Sequence, residues 1–327
     1  MKLSAVIPVY NASNFLPKLL DCFVNQSSKD FEVCIVNDGS TDNSEEIILD
    51  FVANHKDIAI NYQKIKNSGQ GKAREVGIMA ASSEYISFID ADDYIEPNYF
   101  EVLSNIIDKH HPDLVCTNYF INEDTKKDNV NFNNVLLNKE DIKRVIYPYL
   151  IQTSSYTYFP QMLWAKAFKK NMYLARICHK NIKVGEDIAV VVPVILDCNS
   201  IYLSSEHIYH YRVNDNSVMN IKKPRNYDDV TNLYEHLITN LSKEDNEYFS
   251  LQINRLIAHV AFNCSITQFY RNEPKKDIKT FIKSNLAREE IKESIAKMDA
   301  SGVKAKLMKY ALRHQNFFLM KLYSKIM

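Results

Sequence analysis

The chain has 327 residues, 46% of them hydrophobic, which is enough for one full α/β domain plus a helical extension. Forty basic residues balance forty acidic ones, so the net basic surface that sequence-independent nucleic-acid binding requires is missing. The longest apolar stretch, residues 188–196, contains Pro193 and falls far short of a membrane span, and Met1-Lys2 with its short apolar run lacks the length of a signal peptide.

Apolar, β-rich runs at residues 3–10, 31–37, 58–64, 85–90 and 114–120 read as strands. Helical patterns at 14–25, 43–55, 71–81 and 97–109 alternate with them. Such alternation predicts an α/β fold with a doubly wound, mostly parallel sheet and helices on both faces. Pro8 interrupts the first run and marks an irregular strand end. The second run enters an Asp38-Gly39 turn, with Thr41, Asp42 or Asn43 as candidate helix caps. After the third comes Asn67-Ser68-Gly69-Gln70-Gly71, a glycine-bearing loop that opens a helix. Residues 122–134 are polar and read as a surface loop, and 139–200 returns to a helical pattern. From Pro224 onward, residues 226–242, 246–271, 275–298 and 302–326 all read as helices.

The fourth strand ends in Asp90-Ala91-Asp92-Asp93. Three carboxylates within four residues repel one another unless paired, and hard divalent cations offset that repulsion through oxygen ligands. Mg²⁺ takes one or two protein carboxylates and completes its shell with phosphates and water, which points to a phosphorylated substrate. Solvated turns and helix caps are the bland alternative. Glycine is scarce, six residues in all, and Gly39, Gly69, Gly71, Gly77 and Gly185 fall in the segments singled out here. A chain that spends glycine so sparingly is expected to need it for positive φ or for close approach to a ligand. Ligands of parallel sheets gather at the carboxyl ends of the strands, where Tyr10, Asp38 and Asp90 fall.

Pro8-Val9-Tyr10-Asn11, Val36-Asn37-Asp38-Gly39-Ser40-Thr41-Asp42, Asn67-Ser68-Gly69 with Ala73-Arg74 and Gly77, and Phe88-Ile89-Asp90-Ala91-Asp92-Asp93 resemble, in order and spacing, the motifs of the family 2 glycosyltransferases. Gly185-Glu186-Asp187 and Tyr209-His210-Tyr211-Arg212 with Ser217 are similar to that family's acceptor-side and closing-loop motifs. The resemblance covers about residues 3–220 and implies a GT-A fold, inversion at the anomeric carbon, a nucleotide-diphosphate sugar donor and Mn²⁺ or Mg²⁺ as cofactor. It divides the chain into a catalytic domain at 1–220, with the acceptor side at about 139–220, and a helical region at 221–327.

By the same resemblance, Asp92 is the direct metal ligand and Asp90 contacts ribose or the metal shell, with Ala91 between them. Asp93 is read either as a ligand or as a cap for the segment near Pro97. Asp187 is the candidate general base and Glu186 orients the acceptor. The bland alternative has both acids complementing the dipole of a helix at 187–197. Pro8 and Tyr10 would surround the base, Asp38 would accept its ring N–H, and Asn67 and Arg74 would complete the pocket. Such an acceptor favours uracil, hence UDP. His210 and Arg212 would donate to the pyrophosphate. Tyr10 as core, Arg74 as a solvated helix residue and His210 as a structural histidine are the alternatives.

Lys304, Lys306, Lys309, Arg313, Lys321 and Lys325 follow the last acid, Asp299, among apolar residues. The segment is read either as lying on an anionic membrane or as packing on the domain or a second subunit. Cys22, Cys34, Cys116, Cys178, Cys198 and Cys264 form no Cys-x-x-Cys pair and read as reduced thiols. A cytoplasmic location, peripheral to the inner membrane face in the first of these readings, is expected. The expected acceptor is a glycan or lipid-linked saccharide of capsule, lipopolysaccharide or teichoic acid. A sugar nucleotidyltransferase and a non-catalytic nucleotide-binding relative are the competing classes. The first is disfavoured because Tyr10-Asn11-Ala12-Ser13-Asn14 has no glycine, the second because base and metal carboxylates are both present.

Overall fold

The computed structural model describes residues 1–178, 182–213 and 223–325. Its elements form two compact units. The first comprises Met1–Val145, Met162–Ile177 and Val194–Asn214; the second comprises Ile146–Gln161, Cys178–Pro193 and Asp215–Met327.

The first unit is built on one sheet. It begins β1 (Leu3–Val9), α1 (Leu16–Val24), β2 (Phe31–Asp38), α2 (Ser44–Asn54), β3 (Ala59–Ile65), α3 (Gln70–Ala80) and β4 (Tyr85–Phe88). These four strands lie parallel in the order β3-β2-β1-β4. Strand parity in β1 assigns its two faces. Leu3, Ala5, Ile7 and Val9 join the core that holds Leu16, Leu19, Leu20 and Phe23 of α1, side chains worth about 1.5–3 kcal/mol each when fully buried. Val6, of opposite parity, faces α3. A Cβ on Gly77 would lie 2.5 Å from Val6 Cγ1 and 3.2 Å from Val36 Cγ2, so glycine sets how closely α3 packs on the sheet.

The next elements are β5 (Tyr94–Ile95), α4 (Tyr99–His110), β6 (Leu114–Ile121), β7 (Thr125–Lys127), β8 (Val135–Asn138), α5 (Lys139–Val145), β9 (Lys166–Lys169), α6 (Lys170–Leu174), α7 (Glu186–Asp197) and β10 (Ser200–Tyr211). Here the sheet becomes mixed. Strand β9 runs antiparallel to both β4 and β6, β10 is parallel to β6, and β5 pairs antiparallel with the end of β10. The reading of 139–200 as helical is therefore corrected: β9 interrupts it. Four residues bounded by lysines carry no strand periodicity, and the strand forms because a slot between β4 and β6 completes its hydrogen bonds. Pro8 is paired with Val36 of β2, at a level where β1 has already passed its last pairing with β4, Val6 with Phe88.

The C-terminal region is helical: α8 (Tyr227–Asn240), α9 (Lys243–Thr267), α10 (Lys275–Leu286), α11 (Glu289–Lys297), α12 (Gly302–Arg313) and α13 (Phe317–Tyr323). Ser242 and Asp245 form a reciprocal capping box that starts α9. The single helices read at 275–298 and 302–326 are each two, broken by extended backbone at Arg288 and by left-handed Gln315 (φ 47°). Among the described residues, no helix is long and apolar enough to cross a membrane.

Candidate active site

The loops that leave β1 and β2 are stitched together. Asn11, in a left-handed conformation (φ 49°), accepts from the Thr41 amide at 2.8 Å. The amides of Asn11, Ala12 and Ser13 donate to Ser40 Oγ (3.1 Å), Ser44 Oγ (2.9 Å) and Asp42 Oδ2 (3.0 Å). Burial raises the Asp42 carboxyl, but hydrogen bonds from Ser44 and Ser13 outweigh it and hold the group down to about 2. Of the three candidate caps, Asn43 occupies the N-cap position of α2, and Asp42 bonds both the Ser44 amide and the neighbouring loop at Ser13, a link visible only in the tertiary fold. Pro8 is buried, while Tyr10 is 52% exposed and thus outside the core.

Asp38 closes β2 and is buried. Its Oδ1 accepts from the Ser68 amide at 2.7 Å and its Oδ2 from the Gly69 amide at 2.8 Å. The carboxylate therefore anchors the loop that opens α3, and each oxygen keeps a further lone-pair site. Gly39 (φ +69°) lets this loop approach, since a Cβ there would lie 2.7 Å from Asn67 N. Asn67 itself is exposed. Gly71 has neither positive φ nor a neighbour within 4 Å of a notional Cβ, so of the two expected uses of glycine positive φ does not apply to it.

Arg74 projects from α3 and is buried. Its Nη2 meets Asp90 Oδ1 at 3.0 Å, and Gln70 Nε2 donates to the same oxygen at 3.0 Å. A solvated helix residue is therefore excluded for Arg74. The carboxylate run forms a tight turn closed by Asp93 N donating to Asp90 O at 3.0 Å, with Ala91 buried and Asp92 half-buried between them.

Asp93 is not the cap of the segment near Pro97: Asn98 holds the N-cap position of α4, and the Asp93 carboxylate is bonded within the fold. It is buried, accepting from Tyr209 Oη at 2.6 Å on Oδ2 and from the Arg212 amide at 2.8 Å on Oδ1. Burial, and next the neighbouring charge of Asp90, push its carboxyl well above the ordinary carboxylate range despite these two donors. Tyr209 Oη also accepts from Asp90 N at 3.2 Å. One hydroxyl thus joins both ends of the turn.

Alternation along β10 separates its aromatic residues. Tyr209 and Tyr211 stack on Trp164 at centroid distances of 5.0 and 5.2 Å. His210 faces the other way, stacked between Tyr94 (4.3 Å) and Phe120 (4.4 Å). Its Nδ1 lies 2.9 Å from Asn122 O and its Nε2 2.5 Å from Glu96 Oε1. Both ring nitrogens are engaged inside the fold, an environment that favours the structural-histidine alternative over a phosphate donor. Arg212 places its guanidinium 5.2 Å from the Phe15 ring and 5.3 Å from the Tyr94 ring. Ser217 and the loop at 214–217 lie outside the described residues.

Glu186 and Asp187 belong to the second unit, in the first turn of α7, where a helix dipole favours acids. Gly185 (φ +87°) precedes them; a Cβ there would meet Leu233 Cδ2 of α8 at 2.8 Å. Pro193 lacks the N–H that would bond the Ala189 carbonyl within α7. His236 Nε2 of α8 takes its place, donating to Ala189 O at 2.8 Å.

Among the described residues, no group of three or more His, Cys, Asp or Glu side chains is arranged to hold a metal. Asp92 and Asp90, the two acids that the resemblance names for the metal, would supply two hard oxygen donors from this turn. That number fits an ion completing its shell with phosphate and water.

A family model described as Glycosyl transferase family 2 matches residues 4–170. Glycosyltransferase GlyA of Streptococcus pneumoniae is 30% identical over 67% of this chain and 32% of its own length. Poly(ribitol-phosphate) beta-N-acetylglucosaminyltransferase TarS of Staphylococcus aureus is 26% identical over 80% of this chain and 45% of its own. The chain thus spans less than half the length of either relative. The crystal structure of S. aureus TarS 1-349 in complex with UDP matches with a TM-score of 0.66 at 18% identity, covering 99% of this chain and 90% of that one. At that identity the likeness carries the fold: a mixed, mostly parallel sheet of the same architecture, followed by helices.

Proposed function

The chain belongs to the family 2 glycosyltransferases, and from that premise we propose that it transfers a hexosyl or N-acetylhexosaminyl unit from a UDP-sugar to a hydroxyl of a cell-surface glycan or lipid-linked saccharide, with inversion. The observation that carries this reading is the turn Asp90–Asp93, held at the carboxyl edge of the parallel strands by Arg74 and Tyr209. It lies in the same unit as the Asp38 anchor and the exposed Tyr10. A UDP-bound TarS structure and that relative's N-acetylglucosaminyl activity support the donor and sugar class.

Tyr10 offers a ring for the base, and Asp38 accepts its imide N–H on a remaining lone pair. Asn67 borders the pocket. Arg74 orients Asp90 toward ribose or the metal shell. Asp92 is the proposed direct ligand for Mn²⁺ or Mg²⁺, with Asp90 beside it. When bound, the ion offsets charge on the departing diphosphate, a task for which Arg212 supplies a cation. Asp187 takes the proton from the acceptor hydroxyl while that oxygen attacks the anomeric carbon from the face opposite the diphosphate. The new C–O bond forms as the bond to the β-phosphate oxygen breaks, so the anomeric configuration inverts. Glu186 orients the acceptor.

The test uses Asp187→Asn with UDP-sugars and a saccharide acceptor, following product configuration by NMR. The expected result is inverted product from wild type and at least a hundredfold loss of transfer in the variant, in keeping with general-base contributions of about 10²–10⁴, with donor affinity unchanged. Retained configuration, or full transfer by the variant, would overturn the assignment.

A further inference from the structure

Each of the last two helices exposes apolar side chains. On α12, Val303, Leu307 and Tyr310 are 75%, 40% and 51% exposed, while Ala305, Met308, Ala311 and Leu312 are buried on the opposite side. At 3.6 residues per turn the three exposed side chains fall within about 60° of arc, with Lys304 on one flank and Lys306 on the other. On α13, Phe318 and Leu322 repeat the pattern at 82% and 46% exposure, and Met320 is buried.

Charge on this segment is one-sided. Six basic residues follow Asp299 and no acid does, in a chain whose total charge is zero. Two of the six serve the fold: Lys309 Nζ donates to Met298 O at 2.5 Å and Arg313 Nη2 to Ala296 O at 2.8 Å, completing carbonyls near the end of α11. Lys304, Lys306 and Lys325 are exposed. Lys279 of α10 adds a cation 5.7 Å from the Phe317 ring.

We infer that these exposed faces of α12 and α13 seat on an anionic lipid surface. Val303, Leu307, Tyr310, Phe318 and Leu322 enter the headgroup boundary, and Lys304, Lys306 and Lys325 meet the lipid phosphates. Stable interfacial binding needs both an apolar face and cationic attraction, and both are present. A second copy docked face to face would set Lys304 and Lys306 against like charges with no acid in the segment to offset them. A soluble polyanion would account for the lysines and leave Phe318 and Val303 without a role. The inference does not depend on which sugar is transferred.

The test is co-sedimentation of the full chain with vesicles of phosphatidylglycerol and phosphatidylcholine in equal parts, and of phosphatidylcholine alone, at low and high salt. Wild type is expected to bind the anionic vesicles, weakening as salt rises. The double variants Lys304→Glu with Lys306→Glu, and Leu307→Ser with Phe318→Ser, are each expected to lower that binding by about tenfold or more. All four positions are exposed, so thermal stability is expected to stay at the wild-type level. Any one of three results would overturn the inference: no binding to anionic vesicles, equal binding to phosphatidylcholine alone, or variants that bind like wild type. So would a wild-type dimer that Leu307→Ser with Phe318→Ser dissolves while vesicle binding is absent.

Discussion

The Tyr209 hydroxyl donates to Asp93 Oδ2 at 2.6 Å while accepting from the Asp90 amide at 3.2 Å. A strand far along the chain therefore sets the shape of the carboxylate turn. Tyr209→Phe removes a buried donor and leaves the Asp90 amide without this acceptor. The expected cost is about 1–3 kcal/mol in urea unfolding. Because Asp90 and Asp92 lie on the same turn, weaker nucleotide binding by calorimetry is also expected. Unchanged binding would separate the turn from the donor site.

Two carboxyls of this unit give opposite pH dependences. Asp93 is raised above its ordinary value of 3.8 by burial first and by Asp90 next. The folded state then holds a proton that the unfolded chain has released. Its stabilisation is fully present below the unfolded value and lost as pH rises through the raised folded value. Asp42, held down to about 2 by Ser44 and Ser13 against the effect of burial, behaves in the reverse sense. Its contribution is present above 3.8 and lost as pH falls toward 2. Stability measured against pH is expected to lose the first slope in Asp93→Asn and the second in Asp42→Asn.

Three glycines of the motif region separate by their surroundings. Gly39→Ala combines positive φ with a clash against Asn67 N, and is expected to displace the 67–69 loop and weaken nucleotide binding. Gly77→Ala drives a methyl into Val6, an overpacking cost of about 1–3 kcal/mol. Gly71→Ala, in open space on α3, is expected to stabilise by about 0.5–1 kcal/mol. Thermal unfolding of the three variants checks the order.

In the second unit, His236 answers a fault that Pro193 creates in α7. His236→Ala leaves the Ala189 carbonyl without its donor, at an expected cost of about 1–3 kcal/mol. Pro193→Ala restores an amide to that carbonyl, so the cost of His236→Ala is expected to shrink in its background. A double-mutant cycle measures the coupling, and strict additivity would show that the two residues act independently.

What could be read in the sequence followed from how local the signal was. The parallel half of the sheet and its strand-end acids were legible because each βα unit carries its own period and punctuation. Strand β9 was not, since four residues between lysines become a strand only when β4 and β6 flank them. Asp93 stood between ligand and cap, and its task of anchoring the end of β10 required knowing that β5 pairs there. His210 and Tyr209 are adjacent in the chain, yet parity sends one into the sheet edge and the other to the carboxylate turn. Applied at 208–212, that period-2 rule was the available signal, and the motif hid it. The resemblance points to Arg74 as a pocket residue, but its burial and its ion pair with Asp90, sixteen positions away, appear only when α3 lies across the sheet.

The most direct test of the central claim is calorimetry of UDP, GDP and dTDP with wild type and Asp92→Ala, with and without Mn²⁺. The account predicts that UDP binds wild type in a metal-dependent way and that Asp92→Ala abolishes this dependence. No nucleotide binding under any metal condition, or equal metal-dependent binding by Asp92→Ala, would contradict it.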